Sequence, residues 1–283
     1  MEDISLITLL CGPHGSQVLN LIMAVSKGHS ELVETILDQV RLRGIKIVWL
    51  PHLAVAHGHI KVARQLITKY NWPVDCRNEY NQTPLHIACV KGYVSIVRML
   101  LIEHKADLNV VDDVNDKPLH KAAWCGHIDV IGCLVDEFGC NLNSKGAQGR
   151  TILHYSCYQG HTELAVMLIT QHNLDPSSVD EDGNTPLHCA AMGSRDEIVN
   201  LLITRYNCPV DCRNNIRQTP LHMACRNGHL STVRMLVTEY KADINACDKD
   251  NDLPLHKAAW CGQIEIINCL ISEFKCDPNS KNM

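Results

Sequence analysis

The tetrapeptide Thr-Pro-Leu-His begins at Thr83, Thr185 and Thr219, and close variants begin at Lys117, Thr151 and Leu253. A worn copy, Trp-Leu-Pro-His, begins at Trp49, so successive starts lie 34 residues apart without a break. No other feature constrains the fold as strongly. A fixed period of this length marks supersecondary units that bury their apolar faces against their neighbours.

Each unit has a physical reading. Threonine accepts hydrogen bonds from free backbone N–H groups and suits an N-cap. The proline after it (Pro84, Pro118, Pro186, Pro220, Pro254) occupies a first helical position, where its missing N–H costs nothing. Alanine recurs within the helix at Ala88, Ala122, Ala190, Ala224 and Ala258, small enough for neighbouring helices to approach closely. A glycine ends this helix in most units: Gly58, Gly92, Gly126, Gly160, Gly228, Gly262. In the 185–218 unit the glycine is Gly193, and Ser194 stands in the usual slot.

A second helix follows, with apolar pairs such as Ile96, Val97, Leu100, Leu101 and Ile198, Val199, Leu202, Ile203. That spacing gives a buried stripe. A fainter first unit starts near Leu19 and carries Leu32, Val33, Ile36 and Leu37. An extended segment then leads to a hairpin, with Asn or Gly at the tip (Asn81, Asn115, Gly149, Gly183, Asn251), residues that tolerate positive φ. Arg217 breaks that rule and predicts a different turn there. The turn after the second helix carries Lys105, Asn173, Asn207 and Lys241 where glycine is expected, which predicts a second local difference.

The stretch Thr83–Asn109 resembles the ankyrin repeat, and the resemblance runs from Leu19 to about Asn279. The ankyrin period is about 33 residues; the extra residue here falls near the end of the second helix. The resemblance implies an all-α solenoid with short β-hairpin loops and about eight repeats, starting near residues 19, 49, 83, 117, 151, 185, 219 and 253. Residues 1–18 form an N-terminal segment and residues 19–283 the repeat domain. Glu31, Glu34 and Asp38 give the first unit the charged second helix of a capping repeat. The last unit looks like the internal copy at 117–147, so a C-terminal cap is missing on this reading. Either the chain is a piece of a longer array, or the uncovered flank is an interface, self-association included.

A longer period is superimposed: residues 71–147 match residues 207–283 at more than half of their positions. The echo Asn115–Gly126 and Asn251–Gly262 belongs to this duplicated block.

Histidine recurs as the fourth residue of the unit (His52, His86, His120, His154, His188, His222, His256) and after the glycine (His29, His59, His127, His161, His229). A catalyst is needed once, not in every unit, so these predict a repeated structural bond tying helix start to loop. The fifteen cysteines fall in register as well. Without ligand-spaced partners they predict packing in a reducing, cytoplasmic setting rather than zinc or disulfides, with thiol sensing as the rival. A net charge of −5 gives no attraction to nucleic acid, and no stretch is apolar enough to span a membrane. Acidic pairs such as Asp112–Asp113 and Glu181–Asp182 read as solvated finger tips. No catalytic constellation, metal site or cofactor motif is present, and the chain is read as a non-enzymatic scaffold.

In ankyrin-like proteins partners meet the finger tips and the exposed end of the inner helix. Carried over, the resemblance implies tip residues Tyr80, Asp113, Val114, Glu181, Asp182, Ile216 and Lys249. It implies inner-helix residues Val90, Lys91, Trp124, Tyr158, Gln159, Met192, Arg226 and Trp260. Tryptophan, tyrosine and arginine dominate binding hot spots. Trp124 and Trp260 either anchor a protein partner or fold against adjacent inner helices. Two other roles remain open: the regulatory arm of a larger enzyme or channel, which a longer transcript would favour, and an effector acting in a foreign cytosol, which genomic context would separate.

Overall fold

The structure, a computed structural model, describes residues 15–41 and 47–280. The chain divides into two compact units, Met1–Cys140 and Asn141–Met283. Both are all-α, and no strand occurs among the described residues.

The first unit contains four helix pairs: α1 (Gly15–Ser26) with α2 (Ser30–Arg41), α3 (Leu50–Ala56) with α4 (Ile60–Thr68), α5 (Pro84–Lys91) with α6 (Val94–Arg98), and α7 (Pro118–Cys125) with α8 (Ile128–Gly132). The second contains α9 (Ile152–Gln159) with α10 (Thr162–Thr170), α11 (Pro186–Met192) with α12 (Asp196–Thr204), α13 (Pro220–Asn227) with α14 (Leu230–Thr238), and α15 (Pro254–Trp260) with α16 (Ile264–Asn268). Helices α6, α8 and α16 run on into a wider π turn. The first helices stack in order, α1 to α7 in one unit and α9 to α15 in the other, and second helices pack behind them. This is the repeat solenoid that the resemblance implies, seen within each unit.

Small side chains set the stacking distance. Ala88 and Ala122 in one unit, and Ala190, Ala224 and Ala258 in the other, are wholly buried between first helices. The stripe on each second helix is buried as its spacing predicts: Ile96, Val97, Leu100 and Leu101 are all core residues. The first unit differs. Helix α1 starts before Leu19, because Val18, Leu21, Ala24 and Val25 form its buried face and Leu19 faces out. The charges of α2 do not simply face solvent. Glu34 takes bonds from Gln65 and Lys69 of the next pair, and Asp38 accepts from the Tyr70 hydroxyl at 3.0 Å.

Both predicted turn anomalies vanish. Asn71, Lys105, Asn173, Asn207 and Lys241 all take the left-handed conformation that glycine would take. Each closes its helix with the same six-residue bond, Ala106 N–H donating to the Leu100 carbonyl at 3.0 Å in one case. Lys241 Nζ also donates to the Thr238 carbonyl at 2.6 Å, so a long side chain caps the helix whose backbone it strains. Arg217 likewise adopts φ 59°, and its finger is closed as the others are, by Asn214 N–H to the Gln218 carbonyl. The turn is imposed by the stack, and the residue bears the strain. Arg217→Gly should therefore raise stability by about 1 kcal/mol and the melting temperature by a few degrees; a drop on thermal unfolding would contradict this.

The fingers are hairpin-like loops without a strand ladder. Two backbone bonds close each, as in Asp180 N–H to the Asn184 carbonyl at 3.0 Å and Gly183 N–H to the Asp180 carbonyl at 3.1 Å. Within each compact unit a further bond joins neighbouring fingers: Asp113 N–H to Tyr80 O, Glu181 to Gln148, Asn215 to Asp182 and Lys249 to Ile216. So few bonds do not build a strand ladder.

Candidate functional site

The recurring histidines hold the site rather than forming it. In α5, the Thr83 N–H donates to His86 Nδ1 at 3.1 Å, and the Thr83 hydroxyl lies 2.9 Å from the same nitrogen. Because Nδ1 accepts, the ring proton sits on Nε2, which donates to the Asp116 carbonyl of the next finger at 3.1 Å. His154 and His188 repeat this on Asn184 and Gln218, and His52 and His222 on Gln82 and Asp252. The bond thus goes beyond the local tie the sequence predicted: in these five repeats it joins the helix start to the following repeat. Burial pushes His86, His154 and His188 down to about 4.

The histidine after the glycine forms a second tie. His59, His127 and His229 donate through Nε2 to the carbonyls of Ser26, Val90 and Met192, at the end of the preceding first helix. Arg195 and Gln263 stand in for histidine and bond Tyr158 O and Arg226 O.

Charged clamps then fix the fingers. Lys121 Nζ reaches Asp112 at 2.7 Å and Asp116 at 2.8 Å, while Asp112 also accepts from the N–H groups of Val114 and Asp116. Lys257 makes the same clamp with Asp248 and Asp252, both at 2.7 Å. Arg150 Nε bonds the fully buried Asp180 carboxylate at 3.3 Å. Asp112 is therefore a buried clamp residue, not the solvated tip the sequence suggested; its neighbour Asp113 is exposed.

On this scaffold the predicted recognition residues fall as follows. In the first unit, Tyr80, Lys91, Asp113 and Val114 are exposed, Val90 is half-buried, and Trp124 is 41 % exposed. In the second, Glu181, Asp182, Ile216, Arg226 and Lys249 are exposed, and Tyr158, Gln159 and Met192 are half-buried. Tyr158 lies under the Arg150 guanidinium, 6.0 Å from ring centroid to Cζ. Trp260 is 90 % exposed, so it does not fold against an adjacent inner helix.

The second unit brings Asp182, Met192, Ile216 and Arg226 together around a groove of about 400 Å³. Sequence reasoning missed Arg150, Asn214, Gln218 and Met223, which complete its wall. The floor is saturated: Asn214 donates to Asn184 at 2.9 Å, and Gln218 to Asp248 at 3.1 Å. The only hint of this layer in the sequence is the recurrence of Asp, Asn or Gln at finger bases.

The described cysteines are all free, and most are buried. Burial raises the thiols of Cys76 and Cys189 to about 12, and those of Cys140 and Cys208 to about 11, which leaves them inert at neutral pH. Among the described residues no group of three or more His, Cys, Asp or Glu side chains could hold a metal, and no helix is long and apolar enough to cross a membrane.

Comparison with known families agrees with this geometry. A family model for ankyrin repeats in three copies matches residues 21–112, 51–146, 119–214 and 193–282. The chain belongs to the ankyrin-repeat family, whose members generally serve as protein–protein interaction modules and are typically non-catalytic. A search of curated proteins found no match.

Proposed function

We propose that the chain is a non-catalytic scaffold that binds a protein partner along the finger tips and exposed first-helix ends, in a reducing compartment such as the cytoplasm. One observation carries this reading: the large apolar side chains left exposed include Tyr80, Val114, Trp124, Ile216 and Trp260, all at the predicted recognition positions. Exposed aromatics at such positions supply large contact area with little rotamer entropy to lose. The reducing compartment is supported by the free, buried thiols. His52, His86, His154, His188 and His222, which would be the first candidates for catalysis, are engaged in bonds between repeats.

Affinity capture from a lysate of the source cells tests the reading. Replacing Trp124, Tyr158 and Trp260 together by alanine should abolish retention of the partner and lower the melting temperature by only a few degrees. Retention unchanged, with a large loss of stability, would make these side chains supports of the stack instead.

A further inference from the structure

The groove in the second unit carries charge of opposite sign on its two sides, and this says something about what fits it. Asp182 and Arg226 line it; Glu181 neighbours Asp182 on one finger tip, Arg217 follows Ile216 on the next, and Lys249 sits one finger further. All five are exposed. None of the five charged groups has a hydrogen-bond or ion-pair partner among the described residues. The contrast with the layer beneath is sharp, because there Arg150 is neutralised by Asp180 and Lys257 by Asp248 and Asp252. Between the charged sides lies an apolar strip made by Met192, Met223 and Ile216. Methionine side chains adapt to varied aliphatic shapes, and the Asn214 and Gln218 amides beneath are already engaged by Asn184 and Asp248.

Resting on the scaffold reading above, the geometry points to an occupant of definite chemistry: an extended peptide segment lying across the repeats, with a basic side chain at one end, aliphatic residues in the middle and an acidic side chain at the other. The base faces Glu181 and Asp182. The aliphatic residues cover Met192, Met223 and Ile216. The acid faces Arg226, with Lys249 beyond it. Packed helices lie about 8–10 Å apart, so the two charges are separated by one to two such spacings. An extended chain advances about 3.3 Å per residue, which sets base and acid roughly two to six positions apart along the segment. The opposed charges also fix the direction in which the segment lies.

A library of random dodecapeptides displayed on phage, selected against the whole chain, tests this. Enriched peptides should carry base, aliphatic and acid in one constant order at that spacing. A selected peptide, labelled and followed by fluorescence anisotropy, should lose about tenfold or more in affinity on the double charge reversal Asp182→Lys with Arg226→Glu, and a similar factor on Met192→Ala. Trp124→Ala, in the other unit, should leave it unchanged. Selection against the charge-reversed protein should enrich the opposite order, which also shows that this variant is folded. Peptides without segregated charge, an affinity indifferent to the reversal, or no enrichment at all would overturn the assignment. Should any of these occur while lysate capture still depends on Trp124, Tyr158 and Trp260, the groove assignment fails alone and the scaffold reading stands.

Discussion

Lowering the pH from 7 towards 4 should unfold this protein cooperatively, with net proton uptake by its buried histidines. His86, His154 and His188 are held near 4 in the folded chain by burial, against about 6.5 when unfolded. His52 and His222 are lowered for the same first reason, although their hydrogen bonds to carbonyls act in the opposite direction. A depressed histidine pKa means that the unfolded chain binds more protons between the two values. Stability therefore rises with pH across that window and is lost as pH falls from about 6.5 to 4. A shift of that size corresponds to about 3 kcal/mol per histidine, and several such sites together reach the order of a whole domain's stability, about 5–15 kcal/mol. Asp75 and Asp211, raised by burial, act slightly the other way. The carboxylate clamps contribute at lower pH. Burial raises Asp248, but the bonds from Lys257, Gln218 and two backbone N–H groups outweigh it and leave the group at about 2. Its stabilisation is lost only below the ordinary carboxylate range. Urea midpoints measured from pH 7.5 to 4.5 should fall steadily, most steeply below pH 6.5; a flat profile down to pH 5 would refute this.

The second large effect concerns Gly193. Its backbone is in an ordinary right-handed conformation, φ −93° and ψ 1°, so glycine is not needed there for a strained turn. It is needed for space. A Cβ at this position would lie 2.2 Å from the carbonyl oxygen of Tyr158 in the preceding repeat, and that carbonyl already accepts from Arg195 Nε at 3.0 Å. Gly193→Ala must push two stacked helices apart and lose that bond. The expected cost is about 2–4 kcal/mol, with a fall in melting temperature of roughly 5–15 °C. Gly262→Ala is the control. There φ is 69° and a new Cβ meets nothing within 4 Å, so only backbone strain is paid, about 1 kcal/mol. If the two substitutions proved equally costly, close approach would not be what Gly193 provides.

Gly193 also shows where sequence reading reached and where it stopped. Its displacement from the usual slot was visible, and the slot itself, Ser194, takes the left-handed φ of 57°. Visible too were the helix pairs and the buried alanines, because each follows from local chemistry recurring at a fixed period. The anomalies predicted at Arg217 and Lys105 did not materialise, because contacts with neighbouring units override local turn preference. The clamps joining Lys121 to Asp112 and Lys257 to Asp248 were legible only in hindsight, as an Asp-Asp-Lys spacing shared by the two duplicated blocks. The groove was legible only in part: Asp182, Met192, Ile216 and Arg226 were named from the sequence, but not that they surround one cavity. Its wall combines residues from successive fingers and helices, and Arg150 and Met223 lie at positions whose neighbours across the stack decide their role.

Everything above depends on histidines that stay neutral and bind one repeat to the next. Long-range proton–nitrogen correlation spectra of the imidazoles, followed through a pH titration, measure this directly. His86, His154 and His188 should show the tautomer with hydrogen on Nε2 and stay unprotonated until the chain unfolds, well below pH 6. Free titration near 6.5, with mixed tautomers in the folded protein, would contradict it.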